Sequence, residues 1–340
     1  MRMAHLMAGA PAGGAELFFE RLTAALHRRG DTVLPVIRTN ADRTARLRAA
    51  GLDPVQLRFG GPLDLLTRPR LGRALRDFAP QLVMAWMSRA AAVAPRGDWL
   101  LTGRLGGYYD LRRFRRCDHL VANTRGLVGW IERQGWPAGR VHHLPNFVPD
   151  LAGAAPARLP VPEGAPVVLA LGRLHRNKAF DVLVRALPHC PGVHAVIAGD
   201  GPERDALLEL ARRENVAGRL HLLGWRTDQA SLLAASTVLA CPSRQEPLGN
   251  VVLEAFSAGV PVVAAAVDGP VELIRPGSTG LLVPSEDPVA LAAALSSLIE
   301  DPVRAAELAT AARMEYDGVH AESPVLDHWH GVLSRLVGAV

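Results

Sequence analysis

Short, nearly unbroken apolar runs recur along this chain, each separated from the next by an amphipathic helical stretch. In the first half they are MAHLMA (residues 3–8), TVLPVI (32–37), QLVMAW (81–86), WLLTG (99–103) and HLVAN (119–123). A Pro/Ala/Gly-rich passage, PDLAGAAPARLPVPEGAP (149–166), then interrupts the pattern and reads as a linker. The runs restart with PVVLALG (166–172), VHAVIAG (193–199), LHLLG (220–224), VLACP (238–242) and PVVAAA (261–266), with helical patterns at 181–187 and 202–213. A strand that is apolar on both sides must be covered on both faces, which implies parallel sheets sandwiched by helices. Two such sets predict an α/β chain of two doubly wound, Rossmann-like domains facing one another, over residues 1–152 and 153–319. A terminal amphipathic helix over about 320–340 is expected to cross back onto the first. Open sheets of this kind bind ligands beyond the carboxyl ends of their strands, so chemistry is expected at a cleft between the domains.

At 340 residues the chain has the length of about two domains and can bury a proper core. No apolar run reaches the ~18 residues of a membrane span. Glu16 and Glu20 fall where a signal peptide would have its cleavage region, so the expectation is a cytoplasmic protein. Cys117, Cys190 and Cys241 are odd in number and widely spaced, forming neither a disulfide framework nor a zinc pattern. Net charge is +5, but residues 1–150 balance at +11 and residues 151–340 at −6. The basic half suits an anionic membrane, an acidic acceptor or a polyanion, or is simply an arginine-rich soluble surface.

Three stretches carry chemistry. The glycine-rich turn in GAPAGGAELFFERL (9–22) follows a strand and opens a helix. Gly13 and Gly14 allow close backbone approach beside a positive helix end, without the spacing of a Walker loop or a dinucleotide fingerprint. The loop GRLHRNKAF (172–180) holds the chain's single lysine among 37 arginines. Arg173 and Lys178, a planar fork and a compact point charge, suit a diphosphate. The third stretch, PSRQEPLGNVVLEAFSAGVPVV (242–263), sets Glu246 and Glu254 either side of a Pro-Leu-Gly-Asn turn. A helix over about 250–258 puts Asn250, Glu254 and Ala258 on one face. The amides of Leu248, Gly249 and Asn250 at its start favour a phosphate. Glu254 is placed to accept ribose hydroxyls, and Glu246 the hydroxyls of a sugar.

Together, E-x7-E with Gly-Asn inside, G-R-L-x(3)-K upstream and an N-terminal Gly-Gly-Ala-Glu resemble the retaining GT-B glycosyltransferases of family GT4. AGDGPERDAL (198–207), HLLGW (221–225) and GSTGLLV (277–283) follow in the family's order. The resemblance covers nearly the whole chain. It implies an N-terminal acceptor domain, a C-terminal donor domain, and metal-independent transfer from a nucleotide-diphosphate sugar with retained configuration; no D-x-D pair occurs in the sequence. It assigns Arg173 and Lys178 to the diphosphate, the Gly14 backbone to the donor, Glu254 to the ribose and Glu246 to the donor sugar. Gly224, Trp225 and Arg226 would line the base pocket. The family's histidine or aspartate on a first-domain loop has no histidine counterpart here. Arg104, Tyr108 and Asp110 are the polar candidates, and Asp110 is the one expected to act.

The expected partners are a nucleotide-sugar donor, UDP-linked, and a glycan or lipid-linked acceptor such as a lipopolysaccharide core. An inner-membrane surface is a further expected partner, and no nucleic acid or cofactor is expected. Two other readings stand beside this one: a sugar-nucleotide epimerase or phosphorylase of the same architecture, and a non-catalytic basic polyanion-binding protein. Arg112, Arg113, Arg115 and Arg116 form a basic cluster that suits a membrane or simply a solvated surface. His119, the pair His142–His143, and His328 with His330 are read as structural.

Overall fold

The computed structural model describes residues 1–10, 13–60 and 64–338. The chain forms two compact units, one of residues 1–146 with 322–340 and one of residues 147–321.

The first unit is built on strands β1 (Arg2–Met7), β2 (Thr32–Arg38), β3 (Val55–Leu57), β4 (Leu82–Trp86), β5 (Leu100–Leu105), β6 (His119–Ala122) and β7 (Val141–His143). They form a sheet of order β3-β2-β1-β4-β5-β6-β7, parallel at every pairing. Its helices are α1 (Gly14–Arg28), α2 (Ala41–Ala49), α3 (Thr67–Phe78), α4 (Met87–Val93) and α5 (Arg125–Arg133). One core cluster joins Leu71 and Leu75 of α3, Ala90 and Ala91 of α4, Phe114, and Leu127 and Ile131 of α5. The C-terminal helix Glu322–Gly338 belongs to this unit. Its Trp329 is fully buried against Phe18 of α1, with ring centroids 6.3 Å apart, and donates its indole N–H to the Pro145 carbonyl at 2.8 Å. Arg28 pairs with Glu322 at 2.7 Å and Arg29 with Asp327 at 2.5 Å.

The second unit repeats the plan with β8 (Val167–Leu171), β9 (His194–Ala198), β10 (Leu220–Gly224), β11 (Val238–Cys241), β12 (Val262–Ala265) and β13 (Leu281–Val283), in the order β10-β9-β8-β11-β12-β13. Its helices are α6 (Phe180–Ala186), α7 (Arg204–Arg213), α8 (Gln229–Ala234), α9 (Asn250–Ala258), α10 (Asp268–Leu273), α11 (Pro288–Glu300) and α12 (Pro302–Glu315). Strand β8 shows why its sequence never alternates with polar residues. Val168 and Ala170 enter a cluster with Leu183 of α6 and Leu295 of α11. Val167, Leu169 and Leu171 enter another with Leu253 and Phe256 of α9. Both faces are covered, so both sets of alternate positions must be apolar. In each sheet the order reverses beside the first strand, and the crevice at that reversal is where doubly wound folds place ligands.

The passage 149–166, expected as a linker, instead lies along the second unit. Leu151, Leu159 and Val161 lean on its core, and the Ala157 amide donates to the Ser231 carbonyl at 2.8 Å. Arg313 fixes its start through Asp150 at 2.6 Å. Prolines remove helix and strand as options, yet the intervening apolar side chains still find a surface to cover. The units therefore divide at 146/147, earlier than the expected 152/153.

Two histidine pairs bridge neighbouring strands. His119 and His142 approach at 2.9 Å between β6 and β7. His194 and His221 approach at 3.0 Å between β9 and β10. Burial is the largest cause holding all four below the ordinary imidazole range; nearby positive charge adds to it, and at His119 the charge of Asp118 opposes it. A base whose folded pKa is depressed stabilises the fold above its unfolded pKa of about 6.5, and that stability is lost as pH falls through the folded value. The melting temperature should therefore drop from pH 7 towards 5.5, before most carboxylates titrate. A His142→Gln/His221→Gln variant should flatten the drop in a thermal-shift series, and a wild-type profile flat over that window would overturn the assignment.

Candidate functional site

In the second unit β8 and β11 are neighbours at the reversal, and the loops leaving them meet. The loop after β8 is laid on backbone. Gly172 N–H donates to the Ala198 carbonyl at 3.1 Å, and Leu174 N–H to the Asp200 carbonyl at 2.9 Å. A Cβ on Gly199 would stand 1.8 Å from the Gly172 carbonyl oxygen, and one on Gly201 2.4 Å from that of Leu174. The run AGDG is thus the floor of the loop and must be glycine where the two backbones touch. Further on, His175 accepts from the Asn177 amide at 3.3 Å and starts a short turn, Arg176–Lys178. Buried Ala179, at φ +53°, then turns the chain into α6.

That turn points Lys178 back over Gly172, whose missing side chain leaves room for it; a Cβ there would sit 3.2 Å from Lys178 Cε. Lys178 Nζ forms an ion pair with Glu246 Oε2, from the loop after β11. The two side chains are 25 % and 12 % exposed. Ser243 donates its hydroxyl to the same carboxylate oxygen at 3.2 Å. Burial alone would push the Lys178 ammonium down, but the negative charge of Glu246, with a smaller contribution from Glu254, outweighs it and holds the pKa above the ordinary lysine value. The ammonium is therefore charged throughout the neutral range.

After Glu246 the chain turns sharply. Gly249, at φ +93°, begins α9, and no side chain caps that helix start. Leu248 is buried under the turn, while Asn250, Glu254 and Ala258 are half-buried on one face of α9. Gly269 backs the turn by donating its N–H to the Glu246 carbonyl at 2.8 Å. A Cβ on Gly269 would stand 2.2 Å from the Leu248 carbonyl oxygen. Arg173 is exposed and, among the described residues, has no ion-pair partner. Gly224, at φ +72°, is bridged to Gly199, which donates its N–H to the Gly224 carbonyl at 2.8 Å. The chain thus places Trp225, 63 % exposed, beside the same floor. Arg226 is taken by Asp228 at 2.5 Å.

One residue at this site was not singled out from sequence. Arg244 ties the two loops together. Its guanidinium pairs with Asp181 at 2.7 Å and with Glu286, and donates to the Arg176 carbonyl at 2.8 Å. Its own N–H donates to the Asn177 carbonyl at 2.8 Å, and Asn177 Nδ2 reaches Gln245 at 3.0 Å. The hydrogen bonds to Asp181 and Glu286 hold its pKa well above the usual arginine value. Lys178 is thus positioned by a neighbouring network as well as by its own backbone.

The other sequence candidates lie in the first unit. Gly13 is the N-cap of α1 with extended backbone, and Gly14 is the first helical residue. The Glu16 carboxylate turns back into this loop, accepting from the Ala10 amide at 2.8 Å. Part of the cradle is thus already filled by an internal anion. Asp110 is exposed and bound to Arg112 at 2.9 Å, whose hydrogen bonds hold its carboxyl below the usual range. Arg104 is buried between Phe18 and Trp86, with its carbon 4.9 and 4.4 Å from the ring centroids, and donates to the Asn146 side chain. Burial pulls its pKa down to about 9. Tyr108 is half-exposed, edge-on to Trp130 with centroids 5.2 Å apart. His119 is held in its histidine pair. Among the described residues, no three His, Cys, Asp or Glu side chains are grouped to hold a metal ion.

Two changes test how the site is held. Gly269→Ala drives a methyl into the Leu248 carbonyl and should destabilise the fold by about 1–3 kcal/mol, visible in denaturant titration. Arg244→Ala should speed hydrogen exchange of the 174–179 amides while leaving that of β9 unchanged. Equal protection in both segments would show that the loop does not depend on Arg244.

Comparisons with known proteins identify the family of the chain. Residues 12–150 match the model of glycosyltransferase family 4, and residues 165–301 that of glycosyl transferases group 1. The lipopolysaccharide core biosynthesis glycosyltransferase LpsE of Rhizobium meliloti is 34 % identical over 313 residues, which is 88 % of this chain and 89 % of that protein. LpsD of the same organism is 32 % identical over 307 residues, 89 % of each. The crystal structure of Anabaena HepE in complex with UDP superposes with a TM-score of 0.85 at 22 % identity, covering 98 % of this chain and 100 % of HepE. WaaG, a glycosyltransferase of lipopolysaccharide biosynthesis, superposes at 0.73 and 18 % identity, covering 96 % and 98 %. With two parallel Rossmann-like units of GT-B architecture and both family models matched, the chain belongs to the group 1, family 4 glycosyltransferases.

Proposed function

We propose that this protein moves a sugar from a UDP-linked donor to a lipopolysaccharide-core or other lipid-linked glycan, with retained anomeric configuration and without a metal. The observation that carries the reading is the meeting of Lys178 and Glu246 at the reversal of the second sheet, beside the uncapped start of α9. In the reaction the bond from the anomeric carbon to the diphosphate breaks, and its electron pair goes to the phosphate oxygen. The acceptor hydroxyl oxygen bonds to the same face of that carbon, and its proton passes to the departing oxygen. Lys178 and Arg173 face the negative charge that grows on the leaving group, and the amides of Leu248, Gly249 and Asn250 add the positive end of α9. Glu246 accepts hydroxyls of the donor sugar, and Glu254 those of the ribose. Gly224, Trp225 and Arg226 border the base, with the exposed indole of Trp225 offering an apolar face.

The names of LpsE and LpsD support a lipopolysaccharide-core acceptor, and the HepE complex supports UDP as the nucleotide. Among the described residues no helix is long and apolar enough to cross a membrane. In this reading the basic first unit, including the cluster 112–116, is the part that meets a lipid-linked acceptor. In that unit the backbone of Gly13 and Gly14 is the proposed further contact for the donor. Asp110 is the proposed first-domain carboxylate, acting once it leaves Arg112.

Release of nucleotide diphosphate from a panel of sugar nucleotides tests this reading directly. Lys178→Ala and Glu246→Ala should each lower kcat/KM by about 10²–10³-fold for the accepted donor. UDP should raise the melting temperature of the wild type more than GDP or ADP does. Turnover that survives both substitutions would remove these residues from the chemistry. Turnover that requires free phosphate would favour a phosphorylase.

A further inference from the structure

The first unit carries an exposed feature that donor chemistry does not use. Leu65 and Leu66 are 80 % and 53 % exposed, immediately before α3. They stand on a built turn: Asp64 accepts from the Gly60 amide at 2.8 Å, the Thr67 amide at 3.0 Å and the Thr67 hydroxyl at 2.5 Å. The Thr67 hydroxyl in turn accepts from the Phe59 amide at 3.1 Å. Two adjacent large apolar side chains thus stand in water beside a set of hydrogen bonds that fixes Asp64 against Thr67, against the usual sense of burial.

Their surroundings are basic. Along α3, Thr67, Leu71 and Leu75 face the core, which turns Arg70, Arg73 and Arg76 outward. Arg68 reaches the Ala92 carbonyl of α4 at 3.2 Å, and just beyond α4 Arg96 reaches the Arg116 carbonyl at 3.2 Å. The basic side of α3 therefore continues across α4 to the cluster 112–116. Their apolar residues share one core cluster, so their outer sides form one face. Between residues 64 and 140 the chain exposes thirteen arginines, and of the six acids there only Asp77, Asp98 and Asp110 are exposed. Four of the six are already engaged: Asp77 by Arg73, Asp110 by Arg112, Asp64 by its own turn and Asp118 by the Leu101 amide.

We infer that this face docks on an anionic lipid bilayer, with Leu65 and Leu66 entering the headgroup boundary and the arginines of α3 and 112–116 lying on acidic headgroups. Charge alone would equally suit a soluble polyanion, but a polyanion gains nothing from two solvent-facing leucines, whereas an interfacial anchor needs both terms. The inference rests on the reading that the acceptor is lipid-linked, and it names the segment that brings the enzyme to it.

Co-sedimentation of the full chain tests it, using vesicles of phosphatidylcholine alone and vesicles with about one third phosphatidylglycerol. The wild type should prefer the anionic vesicles by about tenfold or more, and the preference should weaken with salt. Leu65→Ser/Leu66→Ser should lower that binding by roughly tenfold while leaving the melting temperature and nucleotide release from soluble donor unchanged. Arg70→Glu/Arg73→Glu should lower it further. Equal partition into both vesicles, or leucine variants that bind as the wild type does, would overturn the docking face. Displacement by heparin together with indifference to the leucines would assign the face to a soluble polyanion instead. Vesicle binding without release of nucleotide diphosphate from any donor would sink the transferase reading and leave the docking face standing.

Discussion

The ion pair between Lys178 and Glu246 joins the two loops that leave the middle strands of the second sheet, and the arrangement of the site follows from it. It is a poor device for stability, because withdrawing two charges from water costs several kcal/mol per ion, and their attraction rarely returns more. Its value is preorganisation. Each group holds the other at the place where, in the proposed reaction, a phosphate oxygen and a sugar hydroxyl would replace it. The geometry also accounts for the chain's single lysine. The stem at 178 lies against Gly172, where a Cβ would stand a tight 3.2 Å from Lys178 Cε, and the charge ends as a compact group beside Glu246. A planar guanidinium would carry its donors further out in a fixed fork, a different shape from the point charge that this ion pair uses.

The loops are held by two kinds of force, and they differ in how far the sequence reveals them. Backbone contact is local in motif: Gly199, Gly201 and Gly269 each lie where a methyl would strike a carbonyl, so AGDG carries its reason within itself. The side-chain network is not local. Arg244 joins Asp181 and Glu286, far from it in both directions along the chain, and nothing around PSRQE says which carboxylates will arrive. The mutual placement of Lys178 and Glu246 could be anticipated, because both follow strands and doubly wound topology fixes where strand exits gather. The partner of Arg244 could not.

The same distinction runs through the fold. Strands β1, β2 and β4 and the span of α9 are legible, because five apolar residues in a run of six, or a turn followed by helical spacing, overdetermine them. Strands β3, β7 and β13 are only three residues each and lie at or near sheet edges, too short for a period to register. The passage 149–166 was misjudged for a related reason. Proline and glycine report that a segment lacks regular structure, not that it lacks a surface to lie on. The roles given to Gly224, Trp225, Arg226 and Asp110 came from family resemblance. The structure adds that Arg226 and Asp110 each already hold an oppositely charged neighbour, so a ligand would have to compete for them.

Charge separates the two units more sharply than topology does. The residues expected to receive an anionic donor lie in the half of the chain that balances at −6, which looks contradictory until distance is considered. At physiological salt, fields from exposed charges decay over about 8 Å, so net charge influences encounter far more than it does a diphosphate in contact. Within contact range the donor of the proposed reaction would meet Lys178, Arg173, which has no ion-pair partner among the described residues, and the uncapped start of α9, while Arg244 draws Asp181 and Glu286 into its own ion pairs. In the proposed reading, donor recognition therefore needs no basic surface. The arginine excess of the first half, spread over an exposed face with two leucines at one edge, is free to serve the broad field of a lipid surface, where summed charge does matter.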